Sequence, residues 1–129
     1  MKTILNFAMV LFFCTQLFAK PDGVSVSKPQ FPGGDPALVK FLDTNMRYPE
    51  EAQKQKWQGS TLIAFTVNED GSIANVRVLK SSKLVLDNEA LRMVKMMPKW
   101  APALQDGAPK KEMVVLPITF DLSKKNIQY

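Results

Sequence analysis

The sequence predicts an α+β domain, in which helices are interspersed with a β-hairpin and a final strand. Two segments begin with residues that favour the N-terminus of a helix, and each has a proline at the predicted first helical position. An Asn-Glu-Asp-Gly stretch at residues 68–71 separates two runs rich in β-branched residues, as expected for a hairpin. A further apolar strand is predicted at residues 113–122. With 129 residues, 46% of them hydrophobic, the chain has the length and apolar content of one domain.

The first predicted helix is short and begins after a turn at residues 31–34. Asp35 is predicted to be its N-cap, and Pro36 takes the first helical position, where a missing N–H costs nothing. Asn45 is expected to close the helix. The apolar face that we expect to contact the core consists of Leu38, Phe41 and Leu42.

Two adjacent glutamates, Glu50 and Glu51, have either a catalytic or a structural interpretation. They follow Pro49, a favoured first helical residue, and they place negative charge where the helix dipole favours it. Glu50 and Lys54 have the spacing of an i,i+4 ion pair in the favourable order. Gly59 is positioned to end this helix. Because each residue has a structural role, we interpret the segment as the first main helix and not as an acid/base pair.

The hairpin strands are predicted at residues 60–67 and 72–79. The second main helix follows at residues 86–97, with Asp87 as its N-cap and Pro98 at its end. Its buried stripe is predicted to be Ala90, Leu91, Val94 and Met97. The methionine sulfur atoms of this helix could bind a soft metal ion, but methionines at helical spacing usually fill a core.

The two ends of the chain are predicted to lie outside the folded domain. Residues 1–19 have the basic start, short apolar run and small final residue of a secretory signal, with cleavage after Ala19. A membrane-spanning helix needs about 20 apolar residues, more than this run provides. The alternatives are an inner-membrane anchor formed by residues 3–19 and lipidation at Cys14. The remaining predicted boundaries are a linker at 20–30, the domain at 31–123 and a C-terminal tail at 124–129.

Residue content excludes several kinds of chemistry. The chain has no histidine, and its single cysteine lies in the predicted signal. Ser-His and Cys-His nucleophile pairs and zinc sites built on Cys and His are therefore not expected, nor is any other metal or cofactor. Ser25 and Lys28 match a Ser-x-x-Lys pattern of acyl-transfer enzymes, but they fall in the predicted linker. The net charge of +5 suits solubility, and the lack of interleaved basic and aromatic residues argues against nucleic acid binding.

The order of these segments resembles the TonB C-terminal domain family. The residues that carry the resemblance are Tyr48-Pro49 with Ala52, Gln58-Gly59, Asn68 to Ile73, Val76-Arg77-Val78, Ser81-Ser82, Leu86-Asp87, Ala90-Leu91, Trp100, Pro102 and Pro117 to Phe120. Residues 31–34 and the helix after them resemble an extension of Bacteroidetes-type members. The resemblance implies two helices packed on a three-stranded antiparallel sheet. It also implies a non-enzymatic periplasmic module that binds a segment of a TonB-dependent outer-membrane receptor by β-strand addition.

One feature departs from the family. Its energy transducers have a membrane helix and a long proline-rich spacer, whereas residues 20–30 span only about 36–40 Å when fully extended. Energy transduction by this chain alone is therefore not expected. The alternative function is an envelope interaction or regulatory protein that self-associates, as a homo-oligomer, or binds peptidoglycan. Contact with a membrane is expected only if the N-terminal segment is retained.

The final strand is the predicted partner-binding site. Proline cannot donate to a β-ladder, so Pro117 places this strand at a sheet edge. The even-numbered residues from Val114 to Leu122 are apolar and should face the helices. The odd-numbered residues should face outward and direct their backbone groups to the open edge. These predicted binding residues are Met113, Val115, Pro117, Thr119 and Asp121. The alternative is that Pro117 only protects the edge from aggregation.

Overall fold

The computed structural model describes residues 25–124. The predicted signal at 1–19, its cleavage after Ala19, and most of the predicted tail lie outside these residues. In chain order the elements are β1 (Val26–Ser27), α1 (Asp35–Asn45), α2 (Glu50–Gln55), β2 (Gly59–Val67), β3 (Ile73–Lys80), α3 (Leu84–Lys95), β4 (Ala103–Gln105), β5 (Ala108–Lys110) and β6 (Glu112–Phe120). Among the described residues, no helix is both long enough and apolar enough to cross a bilayer.

The main sheet has three antiparallel strands in the order β3-β2-β6. β2 and β6 pair without interruption, from Gly59 opposite Phe120 to Val67 opposite Glu112. The β2–β3 pairing contains two register shifts, and Asn75 has a positive φ of 53° within β3. Helices packed on a three-stranded antiparallel sheet confirm the predicted fold class, and β6 lies at one edge.

The hairpin between β2 and β3 forms at the predicted turn. The amide of Gly71 donates to the carbonyl of Asn68, and the amide of Asn68 donates to the carbonyl of Ser72, both at 2.9 Å. Gly71 has a φ of +86°, a conformation that costs glycine nothing and strains other residues. The Asp70 carboxylate also accepts from the amide of Ser72 at 2.9 Å. The turn residues therefore form the hydrogen bonds that set the hairpin register.

The first two helices differ from prediction in length and boundaries. Asp35 is the first helical residue, and the N-cap position is taken by Gly34 without a side-chain cap. α1 ends at Asn45 as predicted and has 11 residues, whereas α2, predicted as a main helix, has only 6. The reason is Lys56, which adopts a left-handed φ of 55° and ends α2 before Gly59 is reached. Gly59 instead begins β2, and Pro49 is the N-cap of α2.

The third helix begins earlier than predicted, at Leu84. Asp87 is therefore not an N-cap but a buried residue of the first turn. Its carboxylate accepts from the amide of Ser82 at 3.0 Å, from the hydroxyl of Thr61 at 2.7 Å and from the hydroxyl of Ser81. Thr61 lies in β2, so Asp87 joins the start of α3 to the centre of the main sheet while satisfying a free amide before the helix.

A second, small sheet was not predicted. β1, β4 and β5 form an antiparallel sheet in that order, with Val26 opposite Gln105. Gln30 and Ala101 exchange two backbone hydrogen bonds, at 3.0 and 2.8 Å. The predicted linker at 20–30 is thus paired with the domain from Ser25 onward. The physical reason is that residues 101–105 offer a row of backbone groups that the main sheet does not use.

The core lies between the helices and the main sheet. Ile63, Phe65 and Val67 of β2 are fully buried and contribute roughly 1.5–3 kcal/mol each by burial. Trp100, predicted at a sheet edge or helix end, is buried edge-on against Phe65, with ring centroids 5.2 Å apart. In the predicted stripe of α3, Ala90 and Val94 are buried, while Leu91 and Met97 are half-buried. Two residues absent from that prediction are also fully buried, namely Leu86 and Met93.

Candidate partner-binding edge

The side chains of β6 alternate between the core and the solvent. Leu116, Ile118 and Phe120 are buried, and Phe120 packs edge-on against Tyr48 with ring centroids 5.8 Å apart. The intervening side chains are exposed, as the alternation in the sequence predicts. These exposed residues are Met113, Val115, Pro117 and Thr119. β6 therefore presents a row of outward-facing side chains beside an edge that no strand within residues 25–124 pairs with.

The outer face of β6 is partly apolar. Met113 and Val115 are 53% and 41% exposed, which is high for apolar side chains in a strand. Val115 lies opposite Ala64 of β2, and Ala64 lies opposite Arg77 of β3. The guanidinium of Arg77 reaches across the sheet to the sulfur of Met113 at 3.2 Å. The exposed apolar surface of β6 thus has a cationic side chain beside it.

The other end of the strand is polar. The hydroxyls of Thr119 and Ser60 lie 2.8 Å apart, which couples β6 to β2 on the outer face. Asp121 was predicted as a strand residue, but β6 ends at Phe120. The Asp121 carboxylate accepts from the amide and hydroxyl of Ser123, at 2.9 and 2.7 Å. These hydrogen bonds hold the pKa of Asp121 below its usual value, and the Lys124 charge adds to the effect. Asp121 therefore stabilises a turn that ends the edge.

A groove borders the opposite end of β6. It has a volume of about 300 Å³, and its lining residues are Lys28, Pro29, Glu112, Met113, Val114 and Val115. One wall is the first part of β6, and the other is the segment that follows β1. Sequence reasoning missed this groove because Lys28 and Pro29 were assigned to a linker. The proline of the X-Pro pair, which favours extended backbone, was the available signal.

Glu112 is the unusual residue of this groove. Its Oε2 atom is shielded from water and has no hydrogen-bond partner within residues 25–124. A shielded polar atom without a partner costs about 1–3 kcal/mol. Ion pairs at contact distance in the described part of the chain join Lys54 to Glu50 and Arg92 to Glu89, and none joins Lys28 to Glu112.

The residues with a possible catalytic interpretation do not form a site. Glu50 and Glu51 are exposed at the start of α2, and Glu50 pairs with Lys54 at 3.2 Å, which supports their structural interpretation. Ser25 and Lys28 are exposed beside β1. Between residues 25 and 124, no group of three or more Cys, Asp or Glu side chains is arranged to hold a metal ion.

Comparison with known proteins identifies relatives of this fold. The family described as Gram-negative bacterial TonB protein C-terminal matches residues 44–122. Protein TonB of Helicobacter pylori is 30% identical over 84 residues, which cover 64% of this chain and 28% of that protein. Protein TonB of Pasteurella multocida is 35% identical over 88 residues, which cover 67% and 33%. The chain thus spans about a third of the length of these curated relatives.

Solved structures agree with the sequence comparison. Two NMR structures of the Helicobacter pylori TonB C-terminal domain match with TM-scores of 0.53 and 0.54 and identities of 28% and 26%. They cover 66% and 69% of this chain, and this chain covers 77% and 94% of theirs. The family is one of non-enzymatic binding and energy-transduction proteins, which confirms the expectation that this chain is not an enzyme. The matched region contains the main sheet, α2 and α3, and the chain therefore belongs to the TonB C-terminal domain family.

Proposed function

We propose that this domain binds a short extended segment of an outer-membrane receptor in the periplasm, by adding it as a fourth strand beside β6. It would act as a binding module in TonB-dependent transport. The observation that carries the proposal is the outer edge of β6, which no strand of the described residues covers. On its other side β6 is paired with β2 over nine consecutive residues. A strand held this firmly on one side is a rigid template on the other.

The backbone of β6 favours binding at alternate residues. In an antiparallel pair, residues alternate between those that hydrogen-bond to the neighbouring strand and those that point away from it. Pro117, opposite Leu62, has no N–H to donate and so suits a position that points away. By the same alternation, Val115 and Thr119 direct their N–H and C=O groups to the open edge. A bound segment would pair with both residues and lack one hydrogen bond at Pro117.

Amide exchange measured by NMR tests the location of the site. A peptide copied from the exposed plug segment of a receptor of the same cell is added to the domain. We expect slower exchange at Val115 and Thr119 than in residues 68–79 of the hairpin. If bound peptide slows amide exchange only in the hairpin, or slows it at no residue, β6 is not the binding site.

Proline variants provide a sharper test of the backbone geometry. Val115→Pro removes an N–H that should point outward, so the domain should fold and bind the peptide at least about fivefold more weakly. Val115→Ala keeps the N–H and should bind like the parent. Val114→Pro removes an N–H that should pair with β2, and it should cost about 3 kcal/mol of stability. If Val115→Pro unfolds the domain while Val114→Pro does not, the backbone orientation is the reverse of the proposed one.

A second candidate function is self-association through the same edge. It is favoured by the exposed Met113 and Val115 side chains, which lie beside backbone groups that no other described strand pairs with and that a second copy of β6 could cover. Sedimentation of the domain without peptide distinguishes the two functions. A dimer that dissociates when the receptor peptide is added would show that the copies compete for β6. A monomer at all concentrations would leave receptor binding as the function of the edge.

A further inference from the structure

We propose that Glu112 and Lys28 select the receptor segment, by favouring an uncharged hydroxyl side chain where the segment enters the groove at the start of β6. This inference rests on the proposed strand addition and adds a specificity determinant to it. The groove is continuous with the edge, because Met113 and Val115 belong to both. A strand that pairs with Val115 and continues toward Glu112 therefore enters the space beside Lys28 and Pro29.

The shielded carboxylate oxygen indicates that a hydrogen-bond donor is needed. Oε2 of Glu112 has no partner in the described chain. Glu112 is half-buried and lines the groove, so a group that enters the groove comes close to its carboxylate. A carboxylate accepts hydrogen bonds and cannot donate them. A donor on the bound segment would satisfy this oxygen, and an apolar side chain at the same position would leave it unsatisfied.

The two walls of the groove carry opposite charges, because Lys28 lies on one and Glu112 on the other. An ionised side chain on the bound segment is therefore attracted by one wall and repelled by the other, and it loses part of its hydration on entering the groove. A serine or threonine hydroxyl donates to Glu112 without adding charge. The walls therefore favour a hydroxyl side chain at this position of the partner.

The test uses synthetic eight-residue peptides of alternating valine and threonine, with one guest position that is moved along the peptide. Guests are threonine, valine, lysine and glutamate. Threonine and valine have nearly the same shape, so their difference isolates the hydroxyl. At the position that faces Glu112, threonine should bind about fivefold more tightly than valine, the effect of one added hydrogen bond. Lysine and glutamate guests should both bind more weakly than threonine.

Variants of the domain identify the residue responsible. Glu112→Leu should abolish the threonine preference without lowering the stability of the free domain, because it removes an unsatisfied oxygen. Glu112→Gln, which keeps an acceptor, should retain part of the preference. Lys28→Met should improve binding of the lysine guest. The matched control Glu51→Leu, on the exposed start of α2, should leave all peptide affinities unchanged.

The outcomes separate this inference from the function on which it rests. If the peptides protect Val115 and Thr119 from exchange but threonine and valine bind equally at every position, strand addition stands and selection by Glu112 is wrong. A threonine preference that persists in Glu112→Leu, or a preference for lysine in the parent, also overturns the selection. If no peptide in the series binds at β6, both proposals fail.

Discussion

The amide of Trp100 donates to the carbonyl of Gly71 at 2.9 Å, so the hairpin turn of the main sheet is joined to the segment that leads into the small sheet. Trp100 is also buried against Phe31, with ring centroids 5.7 Å apart. The carbonyl of Trp100 lies so near Gly71 that a Cβ there would be 2.1 Å from it. One glycine therefore permits the close contact between the two sheets and the aromatic core.

Gly71→Ala should destabilise the domain by about 2–5 kcal/mol, because the φ of +86° strains alanine and the added methyl overlaps the Trp100 carbonyl. Gly107→Ala is the matched control. Gly107 has a similar φ of +80°, but no atom of residues 25–124 lies within 4 Å of its Cβ position, so the cost should be about 1–2 kcal/mol. Urea unfolding measures both values. Equal costs would show that backbone strain alone, and not the contact with Trp100, determines the effect.

Asp87 should make the domain sensitive to acid. Burial raises its pKa, but hydrogen bonds from Ser81, Thr61 and Ser82 outweigh burial and hold the pKa below the ordinary value. Because the pKa of Asp87 is lower in the folded state, its ionised carboxylate stabilises the domain at any pH above about 3.9, the pKa of the group in the unfolded chain. This contribution is lost as the pH falls through the lower pKa of the folded state.

Asp87→Asn should therefore cost about 1–3 kcal/mol at neutral pH and flatten the fall in stability on acidification. The control is Asp43→Asn, at an exposed position of α1. This variant should change neither the stability at neutral pH nor its fall on acidification. Thermal unfolding from pH 7 to pH 3 measures the effect. A pH profile of Asp87→Asn that is parallel to that of the parent would contradict this role.

A second carboxylate, Glu89, ties α3 to the loop between α1 and α2. Its Oε1 accepts from Nε of Arg92 at 2.5 Å, and its Oε2 accepts from the amide of Arg47 at 2.6 Å. Arg92 also donates to the carbonyl of Asn45 at 2.7 Å. The hydrogen bond to Glu89 raises the pKa of Arg92 above its usual value.

Arg92→Lys should destabilise the domain by about 1–3 kcal/mol, because one ammonium group cannot make the same set of hydrogen bonds as a planar guanidinium. Arg77→Lys, at an exposed position of β3, is the control and should change stability by less than about 0.5 kcal/mol. Urea unfolding measures both. If only Arg77→Lys lowered the free energy of unfolding, the hydrogen bonds of Arg92 would not be needed for stability.

Glu50 and Glu51 should matter only as helix-start residues. Replacing both with glutamine should cost about 1 kcal/mol or less, since the lost dipole interaction and the pair with Lys54 are both exposed. Peptide binding at β6 should be unchanged. A double variant that folds normally but no longer binds the peptide would show that this interpretation of the glutamates is wrong.

Sequence reasoning succeeded where local chemistry decides the structure. The Asn68–Gly71 turn, the end of α1 at Asn45 and the alternation along β6 all follow from individual side chains and their spacing. The edge position of β6 also had a local signal, in Pro117. These features could be predicted because their causes lie within a few residues of each position.

The features that were missed depend on distant or unusual contacts. The three-residue strands β4 and β5 are too short for a periodic pattern, and β5 contains Pro109. α2 ends at a lysine in the left-handed conformation, which propensity does not predict. The extended backbone at Pro29 had a signal in the sequence, but the groove itself did not, since Lys28 is placed on the wall opposite Glu112 by the pairing of β1 with β4.

The small sheet also has a mechanical consequence. Tension applied to the chain ahead of Ser25 would reach the pairing of β1 with β4 before it reached the main sheet. That pairing is short, whereas β2 and β6 share a nine-residue ladder, so the small sheet would yield first under load. Because Lys28 and Pro29 lie between β1 and the Gln30–Ala101 pair, release of both contacts would carry one wall of the groove away and leave the β6 edge intact. A pull from that side would then widen the groove without unfolding the core.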